Sequence, residues 1–282
     1  MAVNTADVKR LRDVTGVGPA ECKKVLTETD GDFDKAVKIL KEKGLVAAEK
    51  RADRATNQGR VWVKTKGDAA VLVEISTETD FVARNADFIA LGQTIADKVL
   101  DEGFSETDER LYGMVKDLAT KIRENMNLKR IKVVKAAANQ NIASYVHGDG
   151  AIGVAVVVSS DRPDVFSNEA ARDLVFSLAM HVAAFNPVAI NDSDVDPALL
   201  KEQEEIFRKQ LETDEKFKDK SAGMLEGILK GKMNKYLADI CFLDQQYIKN
   251  DKLTVKKALA EAGKQFGAEF KIDGYFNFRV GG

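Results

Sequence analysis

The segment AAVLVEISTETDFVARN, residues 69–85, joins an apolar strand to the start of a helix. Residues 69–76 are mostly apolar and predict a strand, and a helical pattern begins near Ala86. One face of that helix carries Phe88, Leu91, Ile95 and Val99. Between the two elements, an acid stands beside an aromatic in Thr79-Asp80-Phe81-Val82. Because loops at strand ends commonly carry function on a rigid scaffold, we take Thr79, Asp80, Phe81 and Val82 as the candidate site.

The apolar strand is the second strand of a predicted β-hairpin. Residues 59–65 alternate between apolar and polar side chains, and Lys66-Gly67-Asp68 supplies the turn. Beyond the helix that follows the candidate site, the apolar spacing predicts a second helix over 111–124 and a third strand over 129–136. These elements together predict one α+β subdomain.

The same order of elements recurs further along the chain. Strands are predicted over 142–147 and 153–159, with a turn at Gly148-Asp149-Gly150 between them. A long helix is predicted over 168–185. A hairpin followed by a helix, twice, predicts an α+β fold with two related subdomains and antiparallel sheets.

A charged helical hairpin is predicted inside the second subdomain, over about 188–232. Its first helix begins at Pro197 and runs to about Leu211, and its second lies near 224–233. The apolar stripe is thin, so the hairpin leans on the core, meets another chain or is a solvated surface element. The last strands are predicted over 268–272 and 275–280, on either side of a bend at Gly274.

The first 52 residues predict three short amphipathic helices that share one apolar stripe. We expect Thr5 to cap the first helix, Pro19 to begin the second and Asp32 to cap the third. Gly44 is expected to end the third helix. A bundle this small is typical of a binding module, because it cannot hold a catalytic cleft.

A charged, alanine-rich stretch follows the bundle over 47–58 and contains Lys50, Arg51, Asp53 and Arg54. We expect it to be a helical or loose linker to the next domain. The alternative is that its basic residues form a functional patch.

The composition of the 282 residues excludes several classes of protein. Lys and Arg number 43 against 45 Asp and Glu, a net charge of -2, which does not indicate a strongly basic nucleic-acid or membrane surface. The two cysteines, Cys22 and Cys241, are far apart and fit a reducing cytoplasm rather than a disulfide framework. The N-terminus does not have the pattern of a signal peptide, and no run is apolar over the ~20 residues of a membrane span. We therefore expect a cytoplasmic protein.

The sequence predicts no group of residues with the spacing of a catalytic site. The histidines are His147, at a predicted hairpin tip, and His181, on the inner face of a predicted helix; neither has metal-ligand spacing to a second ligand. Residues 148–153, GDGAIG, match the dinucleotide-binding pattern, but a β-branched strand follows where that pattern requires a helix. We expect no cofactor, no metal and no enzymatic reaction, and a protein that acts by binding.

Several stretches, in order along the whole chain, resemble translation elongation factor Ts. They are LRDVTGVGPAECKKVL at 11–26, GDFDKA at 31–36, ETDFVARN at 78–85, ENMNLKR at 124–130, AMHVAA at 179–184 and FRVG at 278–281. Each motif is weak alone, and the ordered set is highly specific. The resemblance implies a guanine-nucleotide exchange factor for elongation factor Tu.

The resemblance also implies roles for particular residues. Phe81 would wedge into an apolar pocket of the GTPase beside its Mg²⁺ site, and Asp80 would hold the displaced partner segment. The N-terminal helices, as a ubiquitin-associated-like module, would dock on the GTPase domain through the region of Arg12, Thr15, Gly16 and Gly18. His147 lies at a matching hairpin position of the second subdomain, which would contact another domain of the partner. The helical hairpin resembles the family's dimerisation module, and the C-terminal tail resembles a further GTPase contact.

This chain departs from the family pattern in two places. The family usually has methionine after Gly18, where this chain has Pro19-Ala20, so we expect a weaker or different contact there. The family also has an arginine between the two aromatics near the C-terminus, where this chain has Asn277, so the tail contact does not carry over by residue identity.

The resulting organisation has a ubiquitin-associated-like module over 1–52, a first α+β subdomain over 53–140 and a second over 141–282 with a tail at about 265–282. Two alternatives stay open. Asp80 could be only a helix N-cap and Phe81 only a staple into the core. The whole chain could be an adaptor or RNA-binding protein without exchange activity.

Overall fold

The structure, a computed structural model, describes residues 3–49, 51, 53–218 and 220–282, without the side chains of 45–49. Its contacts divide the chain into two compact units. The first comprises Met1–Val134, Val146–Gly153 and Phe278–Gly282; the second comprises Lys135–Tyr145 and Val154–Asn277. The predicted boundaries at residues 52 and 140 stay a prediction.

The first unit begins with three helices, α1 Thr5–Thr15, α2 Pro19–Glu28 and α3 Phe33–Glu49. They enclose a small core made of Leu11, Cys22, Val25, Leu26, Ala36 and Leu40. The predicted bundle is therefore present, and Pro19 begins α2 as expected. Thr5 was the wrong cap for α1: the side chain of Asn4, one residue earlier, accepts from the amide of Ala6.

The prediction that Gly44 ends the third helix is wrong, because α3 continues to Glu49. Gly44 instead lies where α3 crosses α6 (Glu109–Ile122), and a Cβ at this position would overlap Cγ2 of Thr120. The glycine therefore serves close helix packing rather than a left-handed C-terminal cap.

The α+β part of the first unit follows. Its further elements are β1 Gln58–Lys66, β2 Ala69–Thr77, α4 Asp80–Ala83, α5 Ala86–Asp101 and β3 Met126–Lys135. The sheet order is β1-β2-β3, and β1 pairs antiparallel with β2 from Gln58↔Thr77 to Lys66↔Ala69. The central strand β2 is buried along nearly its whole length. The first hairpin and the helix after the candidate site are thus confirmed.

Helix α5 packs on this sheet through the face predicted from its spacing. Phe88 and Ile95 are fully buried, and the ring of Phe88 lies 5.5 Å from that of Trp62 on β1. Gly92, between them on α5, lies so close to Trp62 that a Cβ would overlap the indole ring. A glycine is therefore required here for the helix to approach the sheet.

The second unit is built on a sheet of order β4-β5-β8 and a small β6-β7 pair. Its strands are β4 Gln140–His147, β5 Ile152–Ser160, β6 Gln246–Tyr247, β7 Asn250–Thr254 and β8 Phe270–Arg279. Its helices are α7 Glu169–Phe185, α8 Pro197–Thr213, α9 Ala222–Ile240 and α10 Val255–Phe266, with short 3-10 turns at Pro163–Ser167, Asp192–Asp194 and Glu215–Phe217.

The second hairpin, α7 and the helical hairpin α8–α9 confirm the sequence predictions. The C-terminal residues are a strand as predicted, but the division into two strands is wrong, since β8 runs without interruption through Gly274. Gly274 does not adopt a left-handed conformation. Helix α10 and the β6-β7 pair have no counterpart in the predictions.

His181 is a core residue, as expected from its place on α7. It is 0% exposed, and its ring lies between those of Phe185 and Phe242 at 4.5 and 5.3 Å. Nδ1 accepts from the amide of Ile248, so Nε2 carries the proton and donates to Oε1 of Gln245. Burial lowers the pKa of His181, because the charged ring would lose hydration.

Glycine substitutions on two helices separate close packing from helix propensity. We expect Gly92→Ala to destabilise the protein by about 1–3 kcal/mol, because the methyl group would displace Trp62. Gly113→Ala, on α6, is the matched control: its Cβ would meet nothing within 4 Å, so better helix propensity should stabilise by about 0.5–1 kcal/mol. Urea unfolding of both variants measures the difference, and equal effects would contradict this packing.

The buried histidine predicts a pH dependence of stability. In the unfolded chain His181 titrates near its ordinary pKa of about 6.5, and in the fold its pKa is lower. Between these values the unfolded state binds more protons, so the stabilisation is complete above about pH 6.5 and falls with decreasing pH by up to about 1.4 kcal/mol per unit.

His181→Gln should remove this part of the dependence, whereas His147→Gln, at an exposed position, should retain it. Urea unfolding of the three proteins between pH 5 and 8 tests the point. Identical pH profiles for wild type and His181→Gln would contradict it.

Candidate functional site

The candidate loop lies between the end of β2 and the start of α5. Thr79 caps the short helix α4, and its Oγ1 accepts from the amide of Val82 at 3.3 Å. Asn85 caps α5 through a 2.8 Å hydrogen bond from the amide of Asp87. Two helices therefore begin within seven residues of each other, which fixes the path of the backbone between Thr79 and Asn85.

A carboxylate from outside the loop holds its first residues. Glu124, directly before β3, accepts from the amide of Thr79 at 3.1 Å and from its hydroxyl at 2.8 Å. It also accepts from the hydroxyl of Thr77 at 3.0 Å. Hydrogen bonds to an ionised group are roughly twice as strong as neutral ones, so Glu124 is the main anchor of the loop.

A second carboxylate, at the start of the loop, binds the segment before β3. Glu78 accepts from the amide of Asn125 at 2.6 Å and forms a 3.3 Å ion pair with Arg54. The side-chain amide of Asn125 donates to the carbonyl of Arg54. The sequence motif at 124–130 contains Glu124 and Asn125, but spacing alone gave them no role. The signal for them was an acid and an amide directly after a helix end.

Phe81 is the exposed centre of this loop. Its side chain is 83% exposed, whereas its neighbours Val82 and Ala83 are 7% exposed and belong to the core. The alternative that Phe81 is a core staple and Asp80 the helix cap is wrong, because Phe81 lies in solvent and Thr79 is the cap. The fold buries the residues after Phe81 and leaves the aromatic ring outside.

Asp80 has a solvent-accessible carboxylate beside this ring. Its Oδ2 lies 3.4 Å from a guanidinium nitrogen of Arg84, and both side chains are largely exposed. Exposed ion pairs of this kind contribute about 0–1 kcal/mol. Either group can therefore exchange its partner at little cost.

A polar groove of about 440 Å³ adjoins the loop within the first unit. Asp80 and Arg84 line one side, and the turn at Gly148-Asp149 lines another. The turn is held against β1, because the carbonyl of Gly150 accepts from the amide of Val61 at 2.7 Å and that of Asp149 accepts from Arg60. The glycines of the dinucleotide-like pattern thus serve a turn, with Gly148 and Gly150 in the left-handed region.

The C-terminal residues reach the same groove. Val280 lines it and donates its amide to the carbonyl of Ala151 at 3.0 Å. Arg130 on β3 lies 4.2 Å over the ring of Phe278 and donates to the buried carboxylate of Glu74 at 2.6 Å. An ion pair in the sheet therefore holds the chain end beside the candidate loop.

The remaining predicted contact residues have identifiable local structures. Thr15 is buried and donates to the carbonyl of Leu11, while Gly16 ends α1 in the left-handed conformation at φ 67°. Gly18 precedes α2, and Arg12 is exposed in an ion pair with Asp13. His147 is exposed at the end of β4. Their contact with a partner stays a prediction.

Two further kinds of feature are absent from the described part of the chain. It holds no group of three or more His, Cys, Asp or Glu side chains that could bind a metal ion. Within the same residues, no helix has the length and apolar character required to cross a membrane.

The fold and the loop define the class of this protein. It is an α+β protein that presents an exposed aromatic side chain on a loop, and hydrogen bonds hold this loop at the end of the central strand. Residues 78–282 match the family model described as elongation factor TS. The chain is 45% identical over 281 residues to elongation factor Ts of Treponema denticola, covering 100% of this chain and 99% of that protein. It is 39% identical over 280 residues to elongation factor Ts of Borrelia garinii, covering 99% of each. The chain belongs to the elongation factor Ts family.

The anchor of the loop predicts a stability effect. Glu124→Ala leaves one amide and two hydroxyl donors without their ionised acceptor, so we expect a loss of about 1.5–3 kcal/mol and faster hydrogen exchange at Thr79 and Val82. The matched control is Glu102→Ala, which removes an exposed ion pair with Lys98 and should change stability by less than about 0.5 kcal/mol. Unchanged exchange at both amides in Glu124→Ala would show that this carboxylate does not hold the loop.

Proposed function

We propose that this protein binds the GDP form of elongation factor Tu, displaces its Mg²⁺ and promotes GDP release, so that GTP can bind during translation elongation in the cytoplasm. It acts as an exchange factor without cofactor or catalytic chemistry of its own. The observation that carries the proposal is the exposed ring of Phe81 on a loop that is otherwise fixed. Membership of the elongation factor Ts family supports the choice of partner.

Phe81 is the wedge in this mechanism. A phenylalanine that is 83% exposed in the free protein gains by entering an apolar pocket, and its full burial is worth about 1.5–3 kcal/mol. Because the loop is anchored by Glu124, little conformational freedom is lost when the ring is buried in a partner. The binding energy is then available to deform the pocket.

Asp80 and the polar groove act beside the wedge. The exposed pair Asp80–Arg84 exchanges its internal contact for a contact with the displaced partner segment. The groove next to it supplies further polar groups within the first unit. Thr79 and Val82 keep the loop in place through the cap and the core.

The exchange itself follows from differential binding. GDP is held by phosphate contacts and by the Mg²⁺ that bridges them. A factor that prefers the partner with a displaced metal site weakens GDP without touching it. The coupling is reciprocal, so nucleotide rebinding weakens the factor by the same ratio and ejects it.

Other parts of the chain supply secondary contacts. The N-terminal module docks on the GTPase through the region of Arg12, Thr15, Gly16 and Gly18, and His147 meets another domain of the partner. The helical hairpin α8–α9 is available for a homodimer. No membrane and no direct nucleic-acid contact belong to this function.

Phe81→Ala tests the wedge. Because the ring is exposed, stability should change by less than about 0.5 kcal/mol, while GDP release from elongation factor Tu should slow at least about tenfold. The matched control is Phe88→Ala, seven residues later in the core, which should cost about 3–5 kcal/mol of stability. The measurements are urea unfolding and release of fluorescent GDP by substoichiometric amounts of each variant.

Unchanged GDP release by folded Phe81→Ala would reject the wedge while leaving exchange intact. No release by the wild type, together with salt-sensitive RNA binding, would reject exchange altogether and favour an RNA-binding protein.

A further inference from the structure

A small cavity of about 230 Å³ lies where the N-terminal helices meet α6 in the first unit. Its walls include Gly44 at the α3–α6 crossing and Thr120 on α6. Its charged lining residues are Glu21, Lys43, Arg51 and Arg123. The cavity is remote in sequence from the loop at 79–82, and none of its lining residues belongs to that loop.

Two polar groups of this cavity are buried without a hydrogen-bond partner among the described residues. They are Nε of Arg51 and Oγ1 of Thr120. Buried polar groups are nearly always paired, and an unpaired donor costs about 1–3 kcal/mol. Both groups can donate a hydrogen bond, and neither has an acceptor among the described residues.

The charged side chains that line the cavity have a net positive charge, as expected for an anion site. Lys43 pairs with Glu21 at 3.0 Å, and these two charges offset each other. Within the described part of the chain, neither Arg51 nor Arg123 takes part in an ion pair, which leaves two positive charges facing the cavity. Arginine remains charged at every pH at which the protein is folded.

We propose that this cavity is an oxyanion site that takes a phosphate group, held by Arg51, Arg123 and the hydroxyl of Thr120. A dianionic phosphate balances the two guanidinium charges, and its oxygens can accept from the fork of each arginine and from the hydroxyl together. A carboxylate has one charge and two oxygens, which match this donor set less well. The volume of about 230 Å³ is large enough to admit a phosphate group.

Ligand binding here would connect two parts of the first unit. Arg51 lies after α3, and Arg123 ends α6 in the left-handed conformation. A phosphate that contacts both residues favours the packed arrangement of the N-terminal helices on α6 and therefore raises stability in proportion to its occupancy. The arginine at position 51 belongs to the charged linker stretch, which thus contains part of a binding site.

The experiment measures the melting temperature of the full chain against inorganic phosphate, with sulfate, acetate and chloride at matched ionic strength. We expect a saturable rise in phosphate, a similar one in sulfate and none beyond chloride in acetate. Arg51→Gln and Arg123→Gln should each weaken phosphate binding about tenfold. Lys116→Gln, an exposed charge on the same helix α6, is the matched control and should bind phosphate as the wild type does.

Thr120→Val separates the effect on phosphate binding from the effect on the stability of the free protein. The substitution keeps Cγ2 against Gly44 and removes an unpaired hydroxyl, so the free protein should be equally or more stable, yet phosphate should stabilise it less. A direct reading comes from the amide signals of Gly44 and Arg123, which should shift on phosphate titration. Equal phosphate effects in wild type and the double variant Arg51→Gln/Arg123→Gln, or a larger effect of acetate, would overturn the proposal.

Discussion

The hydrogen bonds between Glu124 and the threonines before Phe81 are the constraint on which the candidate site depends. They tie the end of the central strand to the start of β3, and Glu78 ties the same two segments in the opposite direction through the amide of Asn125. The loop between them therefore has its path determined by partners on both sides. An exposed aromatic side chain on such a loop keeps its position in the absence of a partner.

Much of the fold could be predicted from the sequence because its elements carry clear periodicities. The α5 face of Phe88 and Ile95 and the two hairpins follow from spacing alone. The predictions fail at Gly44 and Gly274, and they contain no counterpart of β6, β7 and α10. Gly44 and Gly274 have the residue type of a helix end and a bend, yet the structure uses Gly44 for a close helix contact and runs a strand through Gly274. Local rules do not distinguish these uses, because the neighbour that decides between them is distant in sequence.

The sequence predicted the residues of the candidate loop, but it did not predict the distant residues that hold the loop in place. Phe81 was a candidate because loops between a strand end and a helix commonly carry function, and the resemblance to elongation factor Ts implied its role. Its exposure depends on what packs above the loop, which the sequence pattern does not contain. Glu124 lies 45 residues from Thr79, and only the paired strands bring the two together. The turn at Gly148-Asp149-Gly150 was correctly predicted as a turn, whereas its place against β1 required the tertiary structure.

The course of the chain between the two compact units has a consequence for how they can be separated. The chain passes from one unit to the other after Val134, Tyr145, Gly153 and Asn277. Strands β4, β5 and β8 each begin in one unit and end in the other. No single cleavage of the backbone therefore releases either unit with all of its own segments. Residues 278–282 belong to the first unit, so the unit that presents Phe81 has all of its segments only after every residue of the second unit has been synthesised.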